Sequence, residues 1–285
     1  MRPTERESTR LTMAANAIRR NIRPSAGRLM MTRRLCSSAK SDALASKFAE
    51  LTNLADEGLG ARVLFATDEW FAVAANLMKP SEPHWDPNTF DHYGKVMDGW
   101  ESRRRRLPGH DWTLIRLGLA GRVQGVEIDT AHFTGNQAPA ARVLGACIDD
   151  EDDTTWLGPL RPTLGQQGSC ATPEEIAVAR AKVEAVAEWT ELVPISKLRP
   201  GYVEGGNSIH RFQVPQLPAS KRVTHLLLNA HPDGGIARMR AWGIVSRDFE
   251  TEVRCRSTPA VHASAPWAAV CTPHEIGRAS CRERV

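Results

Sequence analysis

The chain has 285 residues, of which 41% are hydrophobic and 25% charged, enough for one or two domains. Its formal net charge of +4 is uneven, because residues 1–40 hold nine arginines and one lysine against two glutamates. The basic surplus therefore belongs to the N-terminal tail and does not predict nucleic-acid binding. No stretch of about eighteen apolar residues is present, so no membrane-spanning helix is predicted. The six cysteines lack CxxC or zinc-finger spacing, which favours free thiols in a reducing compartment.

The N-terminal segment, residues 1–42, has the composition of a targeting peptide. It is rich in arginine, contains serine and threonine, and is poor in acids, and Arg33–Ser38 is similar to a processing region. We therefore expect a mitochondrial transit peptide, with cytoplasmic and peroxisomal locations as alternatives. The other interpretation is a translated leader, with the true start at Met13, Met30 or Met31. Both interpretations predict a disordered segment.

The first predicted elements are a helix and four strands. Apolar residues at helical spacing predict a helix over Ala43–Leu54. Short apolar or alternating runs bounded by glycine-rich turns predict strands at Arg62–Ala66, Thr113–Leu117, Val123–Phe133 and Arg142–Ile148. The turn Gly118–Gly121 is expected to separate the second strand from the third.

A second helix is predicted from a capping box. Thr172 is the expected N-cap, Pro173 occupies the first helical position, and Glu175 closes the box, so that the helix runs to about Glu188. Further strands are predicted at Leu192–Ile195, Ser208–Phe212, Val223–Ala230 and Ile236–Trp242. The last two flank the turn-rich run His231–Gly235, which is typical of a β-hairpin. Many short strands and few helices favour a mainly β fold, an antiparallel β-sandwich.

The C-terminal end lacks the hydrophobic pattern of helices or strands. Residues 249–275 show no clear period and are interpreted as a linker or frame-shifted sequence. Ile276–Val285 equals the translation of one frame of a sequencing-library adapter, so we expect an assembly artefact and assign Cys281 no chemistry. The expected domain is residues 43–248, and the gene model is expected to be truncated at its C-terminus.

Ionisable side chains are concentrated in a first block, Lys95–Trp112. It contains three carboxylates, one histidine and four consecutive arginines: Asp98, Glu101, Asp111, His110 and Arg103, Arg104, Arg105 and Arg106. Surface ion pairs on a solvated stripe would explain the arginines, and a turn would explain Asp98 and His110. The functional alternative is an anion clamp of guanidinium groups, with His110 beside Asp111 as an acid–base group.

A second block, Gly125–Pro139, follows one strand later. Asp129 lies inside an otherwise apolar strand, and a buried carboxylate needs partners, which the run Arg103–Arg106 is expected to supply. Gly135 is interpreted as a turn residue, whereas Asn136 offers a donor and an acceptor that suit an amide or ureido group. No HExxH, GxSxG, P-loop or GxGxxG motif is present, which disfavours metalloproteases, serine hydrolases, NTPases and dinucleotide-binding enzymes.

Several sequence segments, in the same order as in the first repeat of the family, resemble allantoicases, the ureohydrolases of purine breakdown. They are LFATDEWFA, GKVMDGWESRRRR, PGHDW, GVEIDTAHFTGN, ATPEEI, WTELVPISKLRPG and PDGGIARMRAWG. The resemblance as a whole covers about Phe48 to Gly243. Val96 and Ser102 are mild departures, since the family typically has an aromatic residue at the first position and often threonine at the second. The family also has two homologous repeats, and only the first is found here.

The resemblance implies a jelly-roll, galactose-binding-like domain and the conversion of allantoate and water to ureidoglycolate and urea. This chemistry requires an anion anchor, acceptors for ureido N–H groups and a proton donor for departing urea. The candidate catalytic residues are Glu101, His110, Asp111 and Asp129, and the candidate substrate-binding residues are Arg103, Arg104, Arg105, Arg106, His132 and Asn136.

No cofactor is predicted, although a divalent metal held by the four catalytic candidates is an open alternative. The expected partner is a small-molecule substrate, with no nucleic acid or membrane, and a homo-oligomer is left open. The competing interpretation is a non-catalytic ligand- or carbohydrate-binding sandwich, or an inactive fragment.

Overall fold

The computed structural model describes residues 43–148, 150, 152–204 and 207–246. The chain divides into two compact units, Met1–Arg247 and Asp248–Val285, and every described residue belongs to the first. The predictions for residues 1–42 and 249–285 lie outside the described residues. Within the described ranges, no helix is long and apolar enough to cross a membrane.

Strands dominate the described part of the chain. They are β1 (Thr52–Asn53), β2 (Arg62–Ala66), β3 (Asp68–Glu69), β4 (Phe90–Asp91), β5 (Gly94–Lys95), β6 (Trp100–Glu101), β7 (Asp111–Asp129), β8 (Ala140–Ala146), β9 (Ser169–Cys170), β10 (Thr190–Lys197), β11 (Ile209–Gln213), β12 (Val223–His231), β13 (Gly235–Ile236) and β14 (Arg238–Val245).

The helices are short apart from one. They are α1 (residues 43–48), α2 (Asp153–Leu157), α3 (Pro173–Val186) and α4 (Gln216–Ser220), together with 3-10 turns at Glu57–Leu59 and Ala74–Met78. The predicted capping box of α3 is confirmed, because the Thr172 side chain accepts from Glu175 N while the Glu175 side chain accepts from Thr172 N. The first predicted helix is confirmed only in part: it ends at residue 48 rather than at Leu54.

The long strand β7 organises an antiparallel sheet of eight strands. The main path is β1-β14-β7-β12-β8-β10, and β2 and β11 also pair with β7. Its first half pairs with β2 and β12, and its second half pairs with β14 and β11. The sheet therefore curls around a core, and the predicted mainly β, antiparallel jelly-roll fold is confirmed.

Side chains in the first half of β7 alternate between two apolar clusters, whereas in the second half only one face is apolar. Ile115, Val126 and Ile128 contribute to the large central core. Trp112 and Leu114 point to the opposite face, where they pack beneath α3. The loop with Arg103–Arg106 precedes β7 in the chain, and the loop with His132 and Asn136 follows it.

Two connections differ from the sequence-based predictions. Gly118–Gly121 is not a turn but part of β7. Glycine is required there because the neighbouring backbone leaves no room for a side chain: a Cβ on Gly121 would lie 2.5 Å from the Ile244 carbonyl oxygen. The predicted hairpin around His231–Gly235 is also wrong. β12 and β14 pair with β7 rather than with each other, since β7 lies between them.

Candidate functional site

A cleft of about 290 Å³ opens beside β6 and the loop that follows β7. Three of the sequence-predicted site residues line it: Glu101, His132 and Asn136. The other lining residues are mainly aromatic or small: Phe71, Trp85, Tyr93, Gly94, Lys95, Met97 and Thr134. Apolar walls with a few convergent polar groups are typical of a small-molecule site.

Backbone pairing and tight packing hold Glu101 in place. Its strand, β6, pairs with β13, and its backbone also exchanges hydrogen bonds with Ala72. The preceding residue, Trp100, is fully buried and donates its indole N–H to the Asp68 carbonyl at 2.8 Å. A Cβ on Gly99 would lie 2.6 Å from the Ile236 carbonyl oxygen, so the backbone of β6 has little freedom. The Glu101 carboxyl is therefore held on a rigid element.

The Glu101 carboxyl is buried and has an amide rather than a cation as its partner. The residue is 8% exposed, and its Oε1 accepts a hydrogen bond of 2.6 Å from Asn136 Nδ2. Burial raises the pKa of Glu101 to about 7, and the bond from Asn136 opposes that rise. The carboxyl can therefore be protonated near neutral pH, as a general acid requires.

His132 is fixed by strained backbone and by stacking. Its φ of 69° lies in the left-handed region, which is uncommon for a residue other than glycine. Its ring stacks on Trp85 with 5.8 Å between centroids, and its Nε2 lies 3.2 Å from the Pro83 carbonyl oxygen. Because a carbonyl only accepts, Nε2 is the donor in this contact.

Three of the four arginines pair with carboxylates of the described residues. Arg103 pairs with Asp68 at 2.8 Å, Arg104 with Asp233 at 3.2 Å and Arg105 with Asp111 at 2.9 Å. Arg106 is exposed. Three guanidinium groups are therefore already occupied by carboxylates of their own domain.

The expected pairing of these arginines with Asp129 is wrong. The Asp129 side chain, in a residue 3% exposed, accepts a hydrogen bond of 2.9 Å from the backbone N–H of Ala131. It thereby orders the start of the loop that carries His132 and Asn136. Asp129 does not line the cleft with Glu101, so the structure brings the two blocks together through Asn136 and His132 instead.

His110 and Asp111 belong to a separate cluster. His110 Nε2 lies 2.9 Å from Asn229 Oδ1, and its ring centroid is 4.3 Å from that of His231. The Asp111 carboxylate accepts from Thr67 Oγ1 at 3.0 Å and from Arg105. Burial lowers the pKa of His110, which keeps its ring neutral. Neither residue lines the cleft around Glu101.

The sequence-based prediction did not include the aromatic wall of the cleft or its lysine, Lys95. Trp85, Tyr93 and Lys95 come from the segment HWDPNTFDHYGK, which carries no strong strand or helix pattern. The signal that was available is its density of aromatic and polar residues next to the first block.

As for metals, the described residues include no group of three or more His, Cys, Asp or Glu side chains that could hold an ion. Within these residues, the four catalytic candidates therefore do not form one metal site.

The fold is an antiparallel β domain, and its cleft combines a protonatable carboxyl, an amide and an imidazole. Residues 52–246 match the family described as Allantoicase repeat. The chain therefore belongs to the allantoicase family, as its sequence motifs predicted.

Relatives and solved structures agree with this assignment. The chain is 40% identical to a probable allantoicase of Streptomyces coelicolor, over 70% of this chain and 47% of that protein. It is 38% identical to a probable allantoicase of Pseudomonas syringae, over 72% and 50%. The Saccharomyces cerevisiae allantoicase structure is 28% identical, with a TM-score of 0.51, over 73% of this chain and 54% of that one. The chain spans about half the length of the curated relatives it matches.

Proposed function

We propose that this chain supplies an allantoate-binding and catalytic cleft, in which allantoate and water are converted to ureidoglycolate and urea. Membership of the allantoicase family supports the reaction class. The observation that carries the assignment to this cleft is the Glu101–Asn136 pair, a buried carboxyl with a pKa of about 7 that is hydrogen-bonded to a side-chain amide. An amide and a protonated carboxyl offer the donors and acceptors that a ureido group requires.

In the proposed reaction, the bond between the α-carbon and one ureido nitrogen breaks, and a bond from that carbon to a water oxygen forms. Protonated Glu101 gives its proton to the departing nitrogen, so urea leaves as a neutral molecule. The resulting carboxylate takes a proton from the incoming water, which restores Glu101. The chemistry is balanced without a cofactor, and the proposal uses none.

His132 is proposed to orient the substrate. With Nε2 donating to the Pro83 carbonyl, a neutral ring presents Nδ1 as an acceptor suited to a ureido N–H group. This assignment replaces the arginines as the polar contacts of the substrate, because three of them are paired elsewhere.

Urea release from allantoate tests the proposal. The chain should be assayed alone and joined to a second repeat from a longer relative, with and without added divalent metal. Glu101→Gln should lower kcat by about 100-fold or more, because the proton donor is lost. The matched control His110→Gln changes a neutral residue outside the cleft and should have a much smaller effect. No urea release by the extended protein under any of these conditions, or full activity of the Glu101→Gln variant, would contradict the proposal.

A further inference from the structure

The cleft around Glu101 contains one lysine, Lys95, among the residues that line it. We propose that the Lys95 ammonium group binds the substrate carboxylate and so selects anionic ureido compounds over neutral ones. This inference rests on the proposed function and assigns the anion anchor to a residue that was not among the sequence-predicted site residues.

Aromatic rings position the ammonium group of Lys95. Its Nζ lies 4.3 Å from the centroid of the Trp85 ring and 5.8 Å from that of Phe90. Cation–π contacts of this kind orient an ammonium group without neutralising its charge. Trp85 also stacks on His132, so one ring connects the cation to the polar side of the cleft.

No carboxylate of the described residues forms an ion pair with Lys95 within 4.0 Å. Asp86 is near enough for Lys95 to affect its pKa, but its carboxylate already accepts from Asn88 N at 2.9 Å and Thr89 Oγ1 at 2.7 Å. The ammonium group of Lys95 thus remains available to an external anion. In this respect it differs from Arg103, Arg104 and Arg105.

The small hairpin that carries Lys95 is attached to the domain. Phe90 of β4 pairs with Lys95 of β5, and Gln167 donates to the Asp91 carboxylate at 2.6 Å and to the Phe71 carbonyl at 2.8 Å. The Tyr93 ring also meets the Trp70 ring edge-on, at 5.6 Å between centroids. These contacts attach the hairpin, and with it the backbone of Lys95, to one wall of the cleft.

The charges of the cleft match a monoanion. Glu101, when protonated, adds no negative charge, and Lys95 adds one positive charge. A carboxylate that enters meets attraction at Lys95 and no repulsion from Glu101. The ureido group of the same molecule is then left to contact Glu101 and Asn136, whose mutual hydrogen bond already fixes their geometry.

Binding of two probes distinguishes the role of Lys95 from the proposed function. Allantoate and its neutral methyl ester would be titrated calorimetrically into the wild-type chain and the Lys95→Gln variant at pH 6. The variant should bind allantoate about 10- to 100-fold more weakly, as expected for a lost charge-assisted hydrogen bond, and should bind the ester as the wild type does. Lys95→Arg should recover part of the lost affinity.

Lys197→Gln is the matched control, because Lys197 is an exposed lysine of β10 outside the cleft. Circular dichroism would verify that each variant is folded. If the wild type binds allantoate and Lys95→Gln binds it equally well, the role of Lys95 is contradicted while the proposed function stands. If the wild type binds neither probe, both alone and joined to the second repeat, the proposed function of this cleft fails, and the role of Lys95 fails with it.

Discussion

At the scale of single residues, Glu101 couples the chemistry of the cleft to the stability of the domain. Its pKa is raised from 4.5 to about 7 by burial, so the folded state holds the proton more tightly than the unfolded state does. The resulting contribution to stability is fully present below pH 4.5 and is lost as the pH rises through about 7. Its size is on the order of 3 kcal/mol.

Glu101→Gln should remove this pH dependence. The amide retains an oxygen that can accept from Asn136 and has no proton to lose. Relative to the wild type, the variant should therefore gain up to about 3 kcal/mol in the free energy of unfolding between pH 5 and pH 8. Urea denaturation at both pH values measures this difference, with Glu191→Gln, at an exposed ion pair, as the control. Stability curves of equal shape for Glu101→Gln and wild type would show that Glu101 does not titrate near neutrality.

The paired arginines show why residue type alone did not identify the anion anchor. A run of four guanidinium groups suits an anion clamp, but each group can equally form an ion pair with a carboxylate from another part of the chain. Asp68, which pairs with the Arg103 guanidinium, is 35 residues away from it, and Asp233, which pairs with the Arg104 guanidinium, lies in the loop after β12. Only the folded chain shows these partners, whereas the suitability of Asn136 for a ureido group was evident from its chemistry.

At the scale of elements, glycines determine the course of β7. The sequence pattern around Gly118 and Gly121 predicted a turn, because glycine is common in turns. Both instead allow neighbouring backbone to pack against a continuous strand. The capping box of α3 was predictable because its hydrogen bonds are local, whereas close backbone approach involves residues from other parts of the chain.

Gly121→Ala should therefore destabilise the domain. The added Cβ would lie 2.5 Å from the Ile244 carbonyl oxygen and 2.8 Å from Leu54 Cδ1, so that backbone must shift. We expect a loss of about 1–3 kcal/mol in the free energy of unfolding. Gly135→Ala is the control, because nothing lies within 4 Å of its Cβ position, and its effect should stay within about 0.5 kcal/mol. Equal stabilities for the two variants, measured by chemical denaturation, would refute this explanation of β7.

At the scale of the whole molecule, the fold class was predictable, but the connections were not. Strand-length apolar runs and turn signals indicated a mainly β domain. The order of strands in the sheet was not indicated, because Val223–His231 and Arg238–Val245 are neighbours in sequence but lie on opposite sides of β7. The same topology brings β13 against β6, and this pairing places the Glu101 backbone beside Gly235.

The fold as a whole also separates the candidate site residues into three places. Glu101, His132 and Asn136 share a cleft, His110 and Asp111 lie in another cluster, and Asp129 orders a loop. The predicted domain limits, the N-terminal targeting segment and a homo-oligomer remain predictions.

Mapping of allantoate on the isotope-labelled chain by NMR tests most directly whether the Glu101 cleft is the substrate site. The largest chemical-shift changes on titration are expected at residues of the cleft, including the Trp85 indole N–H, Glu101 and the Asn136 side-chain amide. The His110, Asn229 and His231 cluster should change little. Changes centred on that cluster, with the signals of Trp85 and Asn136 unmoved, would contradict the assignment of substrate binding to the Glu101 cleft.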